Sequence, residues 1–128
     1  MRDHDSLVRY LVEMAAVPFT EAGGDNDCGR FAAGAVQAQT GRNPLGKLHW
    51  TTPRGAARML RRHGGIEGLV TALLGPPIAP SQAQRGDIAG LPEGNFGLLL
   101  MVVEGAWLIG PGNTRAPRGA MVRAWRAC

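Results

Sequence analysis

The arrangement in this sequence with the clearest chemical potential is a cysteine that follows an aspartate at the head of a small-residue segment, Asp27-Cys28-Gly29-Arg30-Phe31-Ala32-Ala33-Gly34-Ala35-Val36-Gln37. Asp27 is a helix-cap candidate, and Phe31, Ala32, Ala35 and Val36 form an apolar stripe at helical spacing. Cys28 then falls in the first helical turn. Unpaired backbone N–H groups and the positive end of the helix dipole favour thiolate over thiol there. Thiolate is the attacking form, so the position predicts a lowered pKa and a nucleophilic sulfur. The bland alternative is a buried, inert thiol. The second cysteine, Cys128, is the last residue and belongs to no pattern. Two cysteines make no disulfide scaffold, and no Cys-x-x-Cys or His-x-x-x-His spacing offers a zinc site. No cofactor or metal is expected.

A nucleophilic cysteine needs a base within hydrogen-bond reach, usually a histidine held by a third polar group. The chain offers His4, His49 and His63. His4 lies near the start of the chain. His49 sits in a loop beside Trp50. His63 falls at a helix C-terminus, where a capping role suits it best. His49 and His63 are the alternative bases.

The elements that must position these residues read as helices first and strands second. Ser6 to Ala16 carries Leu7, Tyr10, Leu11 and Met14 at helical spacing, with Asp5 or Ser6 as cap and Pro18 as stop. The loop from Thr20 to Asn26, with its Gly-Gly pair, leaves room for a substrate backbone. The Cys28 helix follows, with Gly41 as its stop, and Ala32, Ala33, Gly34 and Ala35 permit close packing of a neighbour. Thr52-Pro53 opens a third helix running to about His63, and Glu67 to Leu74 forms a fourth. After Pro80 the pattern changes. Gly86 to Leu91 reads as a short strand, with Gly86-Asp87 as a tight turn in which Asp87 accepts backbone N–H bonds. Phe96 to Val103 is a buried strand, Glu104-Gly105 a hairpin turn, Ala106 to Ile109 its partner, Pro111 to Asn113 a loop and Ala120 to Trp125 a last strand. This order is that of an α+β domain, N-terminal helices packed on a small antiparallel sheet. At 128 residues the chain is expected to form one domain, 1–128.

Composition narrows the function classes. Hydrophobic residues are 45% and charged residues 19%, which argues against disorder. The longest apolar run, Leu98 to Val103, is far too short to span a membrane, and the opening residues lack the apolar stretch of a signal peptide. The 14 Lys+Arg exceed the 10 Asp+Glu. The densest basic stretch, Arg54, Arg58, Arg61 and Arg62, is spaced along one predicted helix, and the other arginines are scattered. Aromatic residues are only 5%, too few for a base-stacking platform. The arginines therefore read as a solvated face or a contact for a protein partner, and nucleic acid is not the expected partner.

Taken together, Asp27-Cys28 opening a small-residue helix, Ala83-Gln84-Arg85-Gly86-Asp87-Ile88 opening a strand and Gly94-Asn95-Phe96-Gly97-Leu98 opening a second strand resemble the NlpC-type cysteine peptidases. These have a papain-like α+β fold and cut peptidoglycan stem peptides. More narrowly, Asp27-Cys28 to Ala33, Thr40 to Pro44, the helix between Gly55 and Gly65, the turn at Asp87 and the closing Ala124-Trp125-Arg126 are similar to a small phage and prophage branch encoded among tail genes. The resemblance spans about residues 5 to 126. It puts Cys28 at the nucleophile. It puts Asn95 where the family's Gly-His-Val-Gly segment carries the base, and the apolar Leu108 and Ile109 around the third polar position. Asn cannot accept a proton at neutral pH. Loss of a general base forfeits roughly two to four orders of magnitude in rate.

Two readings follow. The first is a tail-tip or tail-assembly component with a peptidase-like fold and a degenerate site. Its partners are other tail or baseplate proteins; it is made in the bacterial cytoplasm and carried in the virion. The second is an active cysteine hydrolase on peptidoglycan stem peptides, drawing its base from His49 or His63 during cell-wall penetration.

Overall fold

The computed structural model describes residues 2–21, 24, 26–93 and 97–127. The sequence predictions for Gly23, Gly94, Asn95, Phe96 and Cys128 lie outside these. Among the described residues four α-helices precede five strands, α1 (His4–Ala15), α2 (Cys28–Thr40), α3 (Pro53–Arg62), α4 (Gly65–Leu74), β1 (Ile88–Glu93), β2 (Gly97–Glu104), β3 (Trp107–Ile109), β4 (Arg115–Pro117) and β5 (Arg123–Trp125). The fold is α+β, with the helices N-terminal and the sheet C-terminal.

Local chemistry sets the helix ends. The Asp27 side chain accepts from Arg30 N at 2.8 Å and opens α2, which Gly41 closes in a left-handed conformation at φ +81°. Thr52 accepts from Gly55 N at 3.0 Å and Pro53 follows at the first helical position, opening α3. The cap of α1 is neither Asp5 nor Ser6 but Asp3. Its carboxylate accepts from Ser6 N at 3.0 Å and from Ser6 Oγ at 2.7 Å, so Ser6 is a donor three residues inside the turn. The fourth helix starts at Gly65, two residues before Glu67, because Gly64 and Gly65 both take positive φ and turn the chain within two residues.

All strand pairs are antiparallel, in the order β4-β3-β2-β1-β5. The tight turn joining β2 to β3 is Gly105-Ala106, since Glu104 pairs with Trp107. The last strand is shorter than the predicted Ala120 to Trp125, because residues 118–120 form a 3-10 turn. Strand β4 has no counterpart in the sequence expectations; its three residues, one of them Pro117, are too short a run to show a strand pattern.

The central strand β2 is covered on both faces, as its unbroken apolar run requires. Leu100 and Val102 point with Ile88 and Trp125 toward the helices, into a core that includes Leu7, Phe31 and Val36. Met101 and Val103 point the other way, with Ala89 and Leu108, onto Met121 and Ala83. Helix α2 lies directly on β2, and this contact brings Cys28 to the sheet.

Candidate functional site

The site is organised by Asp27, which is buried beneath the first turn of α2. Besides capping the helix, its carboxylate accepts from Trp50 Nε1 at 2.7 Å and from Arg30 Nη1 at 2.9 Å. The Arg30 guanidinium stacks on the Trp50 ring, 4.3 Å from its centroid. It also donates to the Gly24 carbonyl at 2.9 Å and to the Trp50 carbonyl. One carboxylate and one guanidinium thereby bind the loop before α2, the first turn of α2 and the segment leading into α3. Gly29 completes the contact, since a Cβ there would lie 3.2 Å from the Trp50 ring.

Cys28 follows Asp27 as the first helical residue and is half-buried against β2. The predicted lowering of its pKa is overturned. Burial pushes the thiol up, and the carboxylates of Asp27 and Glu93 push it further in the same direction. Hydrogen bonding with the backbone at Leu100 and at its own amide acts the other way and does not overcome the loss of solvation. The helix terminus supplies the donors that sequence reasoning anticipated. What it could not anticipate is an apolar sheet over the sulfur and two carboxylates beside it.

None of the three histidines is among the described residues lining the cleft that holds Cys28. His4 is in the first turn of α1 and exposed, and His49 is exposed in its loop. His63 caps the C-terminus of α3, where Nδ1 lies 3.0 Å from the Met59 carbonyl oxygen. The structure therefore brings neither alternative base to the sulfur. Leu108 and Ile109 are buried apolar residues of β3. Among the described residues, no three His, Cys, Asp or Glu side chains converge to hold a metal. Nor, among the described residues, is any helix long and apolar enough to cross a membrane.

Cys28 and Asp27 stand at the edge of a cleft of about 560 Å³ between α2, α3, α4 and β2. Its depths are apolar, lined by Val36, Ile66, Leu69, Val70 and Leu100, all buried. Phe19, 54% exposed, and the exposed Glu21 lie on its rim with Glu93. Arg30, Trp50 and Glu93 escaped sequence reasoning. Arg30 did carry a signal, as a cation three residues after the Asp27 cap, whereas Trp50, twenty-three residues away, is brought there only by the fold.

Two further features concern charge. Asp87 is fully buried and accepts from Gln84 N at 2.8 Å, Ala127 N at 3.2 Å and Arg2 Nη1 at 2.6 Å. It is the anchor of the turn into β1, as its neighbour Gly86 suggested. On α3 the exposed Arg54, Arg58, Arg61 and Arg62 share one face, and among the described residues none forms an ion pair. Elsewhere Arg2, Arg30, Arg85, Arg123 and Arg126 pair with carboxylates, while Arg9, Arg42, Arg115 and Arg118, like the arginines of α3, form no ion pair among the described residues.

The chain belongs to the family described as a domain of unknown function (DUF6950), whose model matches residues 1–127. No curated protein and no solved structure matches it.

Proposed function

We propose that this protein is a non-cleaving form of the NlpC-type, papain-like scaffold, serving as a tail-tip or tail-assembly component of a phage or phage-like particle. Cys28 holds the position of the nucleophile without acting as one. The single observation that carries this reading is the setting of the sulfur. It is desolvated against β2, the carboxylates of Asp27 and Glu93 act on it, and no histidine lines its cleft among the described residues. Each of these keeps the proton on the thiol, whereas a cysteine peptidase needs an imidazole to remove it. The helix-then-sheet order, with the cysteine helix laid on the central strand, agrees with the papain-like plan that the resemblance implies.

The tail assignment rests on the resemblance. The partner would be another tail or baseplate protein with an acidic surface, meeting the exposed arginines of α3. The particle would carry the protein to the cell wall, where it touches peptidoglycan without cutting it. The active-hydrolase reading needs His49 or His63 at the sulfur, and their positions do not favour it.

The test is digestion of purified peptidoglycan sacculi, with soluble muropeptides separated by chromatography. The protein and its Cys28→Ala variant are expected to release equal background amounts. Muropeptide release by the protein that the variant loses would overturn the reading.

A further inference from the structure

The cleft beside Cys28 has a volume of about 560 Å³, a mainly apolar lining and an opening to solvent. Its size lies in the range of small-molecule sites, roughly 300–1,000 Å³. Its shape follows α2. Cys28, Ala32 and Val36 all line it at four-residue intervals, a span of about 12 Å along the helix axis. The deep end offers only aliphatic side chains from α2, α4 and β2. A peptide or sugar inserted there would lose its hydrogen bonds to water and find none in return. A hydrocarbon chain would lose nothing. The rim is of the opposite character. Among the described lining residues Glu21, Asp27 and Glu93 are the charged ones, with no Lys or Arg, and Asp27 pairs with Arg30. Such a rim rejects a carboxylate or phosphate head group and accepts a hydroxyl or an ammonium.

We propose that this cleft binds an amphiphile with one aliphatic chain and an uncharged or cationic head group. The chain lies along Ala32, Val36 and Leu100, and the head sits between Glu21 and Glu93. Binding of this kind requires no chemistry at Cys28.

Isothermal titration of the full chain with 1-hexanol, 1-octanol and 1-decanol tests the chain site, and decylammonium against decanoate at pH 7 tests the rim. Saturable binding is expected, tightening about threefold to fourfold per added methylene. Decylammonium is expected to bind about tenfold or more tightly than decanoate, and to lose that margin in high salt. Val36→Phe, which fills the deep end, should abolish binding while the protein keeps its melting temperature. If that variant does not fold, Ala32→Leu takes its place, and the chain-length series on the unaltered protein stands by itself. Absence of saturable binding by decanol and decylammonium would overturn the proposal. So would affinity independent of chain length, decanoate binding as tightly as decylammonium, or undiminished binding by a folded, cleft-filled variant.

Discussion

The indole nitrogen of Trp50 donates a 2.7 Å hydrogen bond to the Asp27 carboxylate, twenty-three residues earlier in the chain. The same carboxylate caps α2 and pairs with Arg30, so the residue before Cys28 is fully engaged in holding three segments together. A carboxylate so employed stabilises the fold beside the sulfur and opposes the sulfur's own charge. That is the arrangement of a structural joint rather than of a nucleophile's cradle.

Asp27→Ala removes the cap and leaves Arg30 and Trp50 Nε1 without their acceptor. The expected loss is about 2–4 kcal/mol, the sum of a cap and a broken, partly buried pair after relaxation. Asp27→Asn keeps an acceptor oxygen and should lose less. Urea denaturation of the two variants gives the order, and equal stability of Asp27→Ala and the unaltered protein would refute the joint.

Asp87 plays the corresponding part for the sheet. Its replacement by Ala orphans the Gln84 and Ala127 amides and Arg2, at an expected loss of about 2–4 kcal/mol. Arg2→Ala should lose less, since the amide bonds remain. Chemical denaturation distinguishes the two.

Gly34 gives a reversal of sign. Gly to Ala inside a helix ordinarily stabilises by roughly 0.5–1 kcal/mol. Here the added Cβ would sit 2.3 Å from the hydroxyl of Tyr10, which donates to the Phe31 carbonyl at 2.8 Å. Gly34→Ala should therefore destabilise by about 1–3 kcal/mol. A double-mutant cycle with Tyr10→Phe should show part of that loss relieved, and additivity would show that the two sites do not meet.

Alkaline titration reads the buried thiol and phenol together. Burial pushes Cys28 up, and pushes Tyr10 from 10.0 up to about 12. In both cases the folded chain keeps its proton after the unfolded chain has lost it. Their contribution is therefore complete below the unfolded pKa and falls away as pH rises toward the folded one. Stability should decline from about pH 8.5, the ordinary thiol value, and again between pH 10 and about 12. Cys28→Ala should remove the first decline and Tyr10→Phe the second, as measured by urea midpoints across this range.

Those variants also mark how far the sequence could be read. Helices α2 and α3 were legible almost to the residue, because Asp27, Gly41, Thr52 and Pro53 act on their own neighbours. The start of α1 was not, since Asp3, Asp5 and Ser6 are all plausible caps and only the fold selects Asp3. Strand β2 announced itself by its apolar run, while β4, with three residues and a proline, exists through its pairing with β3. At the site, the place of Cys28 in its helix was evident. The sign of its pKa was not, because burial by β2 and the approach of Glu93 come from residues more than sixty positions away. The stripe Ala32 to Ala35 reads as a close-packing surface; at Gly34 the neighbour it admits is Tyr10 of α1, while Ala32 and Ala33 line the cleft.

The most direct test of the account is the pH dependence of Cys28 alkylation by iodoacetamide, with Cys128→Ser leaving a single thiol, measured on the folded chain and again in urea. The account predicts a folded-state midpoint above that of the unfolded chain and very slow alkylation at pH 7. A folded-state midpoint below pH 7, with rapid alkylation at neutrality, would contradict it.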